Sequence, residues 1–456
     1  MVGVLLDNPR SGFDGGARRG RFGRPSRRVL VVAAVAAVPV LLIALQIVAS
    51  CNGFEGPLQS VWHDYFGTPK SMSMPWAGLG LALIGLSWRR RFVAVSIAVA
   101  LDAAIAGLRV ALGGPLTFGN GAVITLTGLA LLAWLGWEGR DKRNALHAAA
   151  LGALLILATK VGDVWLHVTV MAGPNVLDRY MALADRAFGE PSWLVARGLG
   201  ALGPVVPAVL HWVYIELPVA AMAIAVWQLR NVVRTGMWPG HYLVRTFLVL
   251  GLVGPVFYIL FPVVGPMFAF AADGHGLQIG NFWPRHLPPM EHAPARIRFD
   301  AFTPRNCMPS MHAAWSTSIF LHSRRDTDGS PAPRWLRWGG AFWVLATLVA
   351  TLGFGYHYGA DLIAGVVLCL TVESALRAPE RGWTGARIQL VAAGFIVFFA
   401  LLLSYRYLAL WMAEHTLPAG IIVVALVAAY CRAFYVTWFA QPVPAHPAEI
   451  AEVPAR

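Results

Sequence analysis

The first apolar run of the chain, residues 29–50, reads VLVVAAVAAVPVLLIALQIVAS and contains no charged residue. A helix needs about 20 consecutive apolar residues to cross the hydrocarbon core of a bilayer. The composition extends this reading to the whole chain, because only 13% of the 456 residues are charged, 57% are hydrophobic and the mean hydropathy is +0.60. A soluble domain carries about 25% charge. These figures argue against a soluble enzyme, a disordered chain and a fibrous repeat, and they indicate a polytopic membrane protein.

Further apolar runs follow at the length of a membrane span. They cover residues 74–88, 92–112, 120–137, 144–171, 205–229, 243–270, 309–322, 338–356, 358–376, 388–405 and 416–438. The run at 309–322 is short, and few of the runs are interrupted by charge. The predicted fold is therefore all-α, a polytopic transmembrane helix bundle of about twelve spans.

The net charge of +13 predicts an orientation rather than a nucleic-acid partner. Cytoplasmic loops carry an excess of Lys and Arg, and here alternate loops are basic. The basic clusters are Arg89-Arg90-Arg91, Arg140/Lys142/Arg143, Arg230/Arg234, Arg324/Arg325/Arg334/Arg337 and Arg377/Arg381/Arg387. With the Arg-rich N-terminal tail they predict an integral protein of a bacterial-type inner or plasma membrane, its N-terminus in the cytoplasm.

The same rule predicts that one basic loop, 271–305, lies on the outer face. It carries Arg285, Arg296, Arg298 and Arg305. A basic stretch on that side breaks the rule, and it either binds something anionic or contacts only solvent.

Polarity divides the chain into five predicted regions. They are a basic, disordered cytoplasmic tail (1–28), an N-terminal transmembrane bundle (29–171), an outer-face interfacial segment (172–204), a C-terminal transmembrane bundle (205–440) and a flexible C-terminal tail (441–456).

The first string that points to chemistry is RNCMPSMH, residues 305–312, which precedes a short apolar run. Proline suits the first turn of a helix. Free backbone N–H groups there can hold a phosphate, and Ser310 can add a hydroxyl donor. His312 is predicted one turn into the same helix end. A Ser310 that only caps the helix is the alternative.

The second string is GYHYGAD, residues 355–361, which opens another apolar run. His357 and Asp361 are four residues apart and share one helix face. A carboxylate there can fix the imidazole tautomer and leave the other nitrogen as a nucleophile. By the span count both strings open at the outer face, where two histidines and an acid can converge. The alternative is an interfacial aromatic belt formed with Tyr356 and Tyr358.

These strings resemble the second and third signature motifs of the type 2 phosphatidic acid phosphatase superfamily, Pro-Ser-x-His followed by His-x-x-x-Asp. The flanks resemble the inositolphosphotransferase branch, which includes inositol phosphorylceramide synthases. These flanks are Arg305-Asn306, Tyr356–Gly365 and the segment Tyr258…Pro262…Pro266. The resemblance covers about residues 175–376 and implies a phosphatase-like core in the C-terminal half. It does not explain the first 170 residues.

The resemblance implies a phosphohistidine mechanism without a metal or another cofactor. His357 would attack the phosphorus, Asp361 would orient and charge-stabilise it, and His312 would protonate the leaving oxygen. The phosphate-binding residues implied are Ser310, Arg305 and Asn306. The substrate would be a lipid phosphate or diphosphate, such as phosphatidic acid, an isoprenoid diphosphate or a phosphoinositol-type donor. Water, or an acceptor alcohol such as inositol, would release the phosphoryl group.

Two basic elements of the family are missing. Its third motif commonly begins with Ser-Arg, and Ala350 and Thr351 occupy those places. The Lys…Arg-Pro of its first motif is also absent. The phosphate cradle must therefore differ, with Arg305 as the predicted replacement and Arg245 as a second candidate.

The N-terminal half carries ionisable residues that favour a second hypothesis. Lys160, Asp163 and His167 share one face of one span, and such residues are functional candidates by default; a buried Lys–Asp pair is the alternative. The same two interpretations apply to Asp102 with Arg109. The residues Trp62-His63-Asp64 are predicted to lie in an outer loop, where they are either structural or in contact with substrate.

The competing function is thus a transporter or lipid flippase with a non-catalytic phosphatase-like core.

Overall fold

The computed structural model describes residues 27–270, 294–300 and 302–440. The predicted C-terminal tail, nearly all of the predicted N-terminal tail, and Arg285 lie outside the described residues.

The described chain is mostly helical. In chain order the α-helices are α1 (Arg27–Cys51), α2 (Pro57–Phe66), α3 (Ser73–Ile84), α4 (Trp88–Ala111), α5 (Asn120–Gly136), α6 (Gly139–Met171), α7 (Asp178–Asp185), α8 (Pro191–Ala201), α9 (Val205–Ile215), α10 (Leu217–Leu229), α11 (Val232–Thr235), α12 (Leu243–Leu260), α13 (Pro266–Phe270), α14 (Met311–His322), α15 (Arg334–Gly353), α16 (Gly359–Leu376), α17 (Gly385–Tyr407), α18 (Ala409–Glu414) and α19 (Thr416–Trp438). Short 3₁₀ helices cover Arg186–Phe188 and Pro379–Arg381, and two short strands, β1 (Asn175–Val176) and β2 (Ile297–Arg298), pair antiparallel.

Seven of the described helices are long and apolar enough to cross a membrane, which supports an integral membrane protein. They are α4, α6, α12, α15, α16, α17 and α19. Helix α9 and the segment Leu217–Thr235, which contains α10 and α11, are bent by 54° and would make an eighth span if they cross as one. The predicted count of twelve is not confirmed, since several predicted spans, such as those containing α3, α5 and α14, hold helices of only 12 to 17 residues.

The chain forms two compact units, the first comprising Met1–Val168 and Ala225–Trp238. Its core packs side chains of α3, α4, α5 and α6 around residues such as Leu79 and Leu126. Asp102 holds the turn before α5, because its carboxylate accepts the N–H groups of Gly119 (3.0 Å) and Gly121 (2.6 Å). The contacts of this predicted functional candidate are therefore those of a structural residue.

Lys160 forms a buried ion pair in this unit, but its partner is Asp64 rather than Asp163. The distance from Lys160 Nζ to Asp64 Oδ2 is 2.7 Å. Asp163 is instead half-buried, 3.9 Å from Lys70, and His167 stacks on a neighbouring ring. Asp64 lies in α2, so the predicted outer loop at this point is helical.

The second unit comprises Thr169–Ile224 and Pro239–Arg456. At its centre α14 packs against both α15 and α16, with α8 and α9 against α15, and α17 against α16. The backbones of α14 and α16 approach closely at Gly365, where an added Cβ would lie 2.3 Å from the carbonyl oxygen of Ser310. This close approach brings the starts of the two helices together, and with them the two motif strings.

Candidate active site

His357 lies in the short turn between α15 and α16. Gly355 permits the turn with a φ of +68°, which glycine adopts without steric cost. The N–H of His357 donates to the carbonyl of Thr351 (3.3 Å), and Ser192 Oγ donates to the carbonyl of His357 (2.7 Å). The backbone of His357 is thus fixed from two sides, and the residue is only 5% exposed.

Asp361 lies in the first turn of α16 and is fully buried. Its Oδ2 accepts the N–H of Tyr358 (2.8 Å) and lies 3.4 Å from Nδ1 of His357. Because Nδ1 faces the carboxylate, Nε2 is the imidazole nitrogen left for chemistry. Burial lowers the pKa of His357 to about 3, so the ring is neutral at pH 7, as a nucleophile requires.

Cys307 is a third member of this group, and the sequence interpretation missed it. Its Sγ lies 3.2 Å from Nδ1 of His357, and its thiol donates to Oδ2 of Asp361. Burial, and then the charges of Asp361 and Asp178, raise the pKa of the Cys307 thiol, so it keeps its proton. The only available signal was its position inside the string RNCMPSMH.

His312 faces this group from the start of α14. Its ring centroid is 6.5 Å from that of His357, and Tyr214 stacks on it at 3.9 Å. The helix begins at Met311, with Ser310 as its N-cap accepting the N–H of the third helical residue. Pro309 therefore precedes the helix instead of occupying its first turn, and His312 lies within that first turn.

The predicted phosphate-binding residues have different surroundings. Ser310 is fully buried and is the N-cap of α14, whereas Asn306 is exposed. Arg305 is fully buried, and its guanidinium donates to the carbonyls of Gly173 (3.2 Å), Asp300 (3.0 Å) and Thr303. The guanidinium of Arg305 thus stabilises the loop that contains it through these backbone carbonyls. That Arg305 binds a phosphate stays a prediction.

Arg245, the second cradle candidate, lies in the first turn of α12. The loop that follows this helix contacts the site, since the N–H of Cys307 donates to the carbonyl of Val263 (3.0 Å). An 18-residue helix is about 27 Å long. Arg245 is therefore at the wrong end of α12 to contact a phosphate at His357.

Asp178, in the polar segment that precedes the motifs, fastens two loops of the site to each other. Its carboxylate accepts the N–H groups of Val264 (3.1 Å) and Gly265 (2.9 Å) and the hydroxyl of Tyr358 (2.9 Å). Burial raises the pKa of Asp178 to about 7.

Asp185 makes a similar connection at the start of α16. Its two oxygens accept the N–H groups of Gly359 (3.1 Å) and Ala360 (2.9 Å), which are otherwise free donors of a helix N-terminus. Burial raises its pKa to about 7 as well. Asp185 therefore fixes the start of α16, two residues after His357, a role that the sequence did not indicate.

Two groups in the described residues offer three ligand atoms within 4.8 Å of one another, as a metal ion would need. One is Cys307, His357 and Asp361; the other is His241, His322 and Glu373. Glu373 already accepts hydrogen bonds from both of its histidines, Thr246, Ser318 and Arg377. Its charge is therefore compensated by protein groups, and its carboxylate has little capacity left for a cation.

Comparison with known protein families gives two matches within the chain. Residues 181–374 match the PAP2 superfamily. This PAP2 region contains His312, His357 and Asp361, along with Asp185. Residues 29–168 match a domain of unknown function, DUF5933. Neither a curated protein nor a solved structure matches the chain.

The match to the PAP2 superfamily supports the predicted superfamily, but the inositolphosphotransferase branch is not confirmed. Together with the candidate membrane spans, the PAP2 region fits a membrane phosphatase-like protein. A match to this superfamily suggests phosphatase or phosphotransferase activity in general, on lipid phosphates.

Proposed function

We propose that this protein is an integral membrane enzyme that removes or transfers the phosphoryl group of a lipid phosphate or diphosphate through a phosphohistidine at His357. The observation that carries the proposal is the buried, neutral imidazole of His357, with Asp361 and Cys307 at Nδ1 and the ring of His312 at 6.5 Å. A metal is not required by these groups.

In the first step Nε2 of His357 attacks the phosphorus, and the bond from phosphorus to the leaving oxygen breaks. The imidazole gains positive charge as the bond forms, and the carboxylate of Asp361 stabilises that charge at Nδ1. The leaving oxygen takes a proton from His312. Burial lowers the pKa of His312 to about 3, so the negative charge of the bound phosphate must raise this pKa for His312 to enter the step protonated.

In the second step a water molecule or an alcohol attacks the phosphorus, and the bond to Nε2 breaks. His312, now neutral, accepts the proton of the attacking hydroxyl. Water yields inorganic phosphate, whereas an alcohol such as inositol yields its phosphate monoester. The flanks Arg305-Asn306 and Tyr356–Gly365 favour the transferase outcome through their resemblance to the inositolphosphotransferase branch.

The positive-inside pattern supports an active site at the outer membrane face. The loops predicted on the cytoplasmic side carry the Arg clusters, and both motif strings begin at the opposite ends of their helices. We therefore expect lipid substrates from the outer leaflet.

The test is a substrate panel with the purified protein in detergent. Phosphatidic acid, an isoprenoid diphosphate and a phosphoinositol donor are each offered with and without inositol, for wild type and for His357→Ala. His415→Ala is the matched control, because His415 is an exposed histidine of the same unit. We expect His357→Ala to abolish turnover and His415→Ala to retain it; equal turnover in both variants would overturn the proposal.

The competing function, transport or lipid flipping, predicts a different result. Translocation in vesicles would then depend on the buried Lys160–Asp64 pair and survive loss of His312 and His357. Vesicles that show no translocation would remove this alternative.

A further inference from the structure

The second unit contains a cavity of about 460 Å³ that neither histidine lines. Its walls come from the C-terminal ends of α12 and α17, from residues 172–177 and from Arg296, just before β2. Ligand sites in proteins commonly have volumes of 300–1,000 Å³. The cavity is therefore large enough for a small ligand or for the head of a larger one.

Two arginines, Arg296 and Arg406, line this cavity. Arg406 is half-buried, and its guanidinium carbon lies 3.9 Å above the ring of Tyr180. Within the part of the chain that the structure describes, neither arginine forms an ion pair with a carboxylate. A guanidinium presents a planar fork of donors that suits phosphate, so two such groups at one cavity favour an anionic ligand.

The rest of the lining is mostly apolar and continues onto helix surfaces of the kind that face lipid. Leu260 at the end of α12 is 65% exposed, and Leu403 near the end of α17 is 56% exposed. Both helices are candidate membrane spans. A ligand that fits both the two arginines and the apolar lining carries an anionic head and hydrocarbon chains, which is the chemistry of a phospholipid.

The cavity and the candidate active site share backbone but not side chains. Pro262 lines the cavity, and its carbonyl accepts the N–H of Leu177 (2.8 Å). The residues that follow Leu177 and Pro262 both hold the active-site loops in place. Asp178 accepts the N–H of Val264, and the carbonyl of Val263 accepts the N–H of Cys307. A molecule in the cavity would thus lie beside the site without occupying it.

We propose that this cavity binds the phosphate head of an anionic phospholipid, with Arg296 and Arg406 on the phosphate and the acyl chains along α12 and α17. The site is separate from His357 and does not depend on the proposed reaction. Its occupant is a bound lipid of the leaflet at that end of the two helices.

The test is a lipid titration of the full-length protein in detergent, read by native mass spectrometry and by the shift in thermal unfolding midpoint. The probes are dihexanoyl phosphatidylglycerol, dihexanoyl phosphatidylcholine and inorganic phosphate. The background is His357→Ala, which prevents turnover. We expect phosphatidylglycerol to bind more tightly than phosphatidylcholine, and inorganic phosphate to give no shift.

The variant that tests the site is Arg296→Gln with Arg406→Gln. Each lost charge-assisted contact should weaken phosphatidylglycerol binding about tenfold. Arg298→Gln is the control, since Arg298 lies two residues from Arg296 and does not line the cavity. If the double variant unfolds, Arg296→Gln alone tests the same site, because Arg296 is exposed.

Each outcome decides the proposal. Unchanged phosphatidylglycerol binding in the glutamine variants would overturn it, as would an equal loss in Arg298→Gln. Inorganic phosphate that binds as tightly as the lipid would replace it with a site for a free anion. Loss of turnover by His357→Ala tests only the proposed function and leaves this result unaffected.

Discussion

Replacing Asp361 by asparagine removes one negative charge beside His357 and changes the shape of the side chain little. The carboxylate is fully buried and its Oδ2 lies 3.4 Å from Nδ1. At that distance, with an effective dielectric constant of about 20, a unit charge stabilises a developing imidazolium by about 5 kcal/mol. We therefore expect Asp361→Asn to lower kcat by about 10³- to 10⁴-fold.

The assay is single-turnover hydrolysis of a lipid phosphate in detergent, with the phosphoenzyme trapped under alkaline quench. Glu373→Gln is the matched control, since it neutralises another fully buried carboxylate of α16, twelve residues or about 18 Å along the helix. The control should lower the thermal unfolding midpoint and leave kcat within a few-fold of wild type. The reasoning is refuted if Asp361→Asn keeps kcat near wild type, or if both variants lose activity equally.

Three further predictions follow from the packing of the site. Gly365→Ala places a methyl group 2.3 Å from the carbonyl of Ser310, so we expect a lower unfolding midpoint and a reduced kcat, both measured in detergent; an unchanged midpoint would contradict the close approach. Cys307→Ala removes a donor from the buried pair and should lower kcat about tenfold, whereas Cys307→Ser, which keeps a donor, should recover most of it; equal activities would count against the thiol's role. Asp178 and Asp185 have pKa values near 7 in the folded chain against 3.8 in the unfolded chain, so the folded state binds more protons between these values. The free energy of unfolding should then fall as pH rises from about 4 to 7 and level off above 7, and denaturant titrations that show stability rising over this range would disprove it.

The sequence predicted the helical class and the two motif strings because both depend on short-range patterns. Apolar runs favour membrane-length helices, and the four-residue spacing of His357 and Asp361 keeps the two side chains close together. The prediction that they share one helix face was wrong, because His357 lies in the turn before α16. The count of spans was less predictable. Hydropathy alone does not separate a spanning helix such as α16 from a shorter one such as α14.

The remaining parts of the site depend on contacts that are distant in sequence. Asp178 lies 180 positions from Tyr358, to which it is hydrogen-bonded, and no local pattern marks it as a partner. The role of Cys307 was equally hard to predict, because the function of a single thiol depends on neighbours that the sequence does not reveal. The prediction that Pro309 lies in the first helical turn was wrong for another reason. The Ser310 hydroxyl caps the helix, so α14 begins at Met311, after the proline.

The two carboxylates of α7 determine how small a working piece of this protein can be. A fragment cut before α9, at a natural helix boundary, would keep every residue of both motif strings. It would lack the acceptors for the backbone donors at Val264, Gly265, Gly359 and Ala360, and its loops would have no fixed arrangement. Anyone transplanting this chemistry into another helical scaffold must therefore carry over α7 with the motifs, or supply two buried acids in its place.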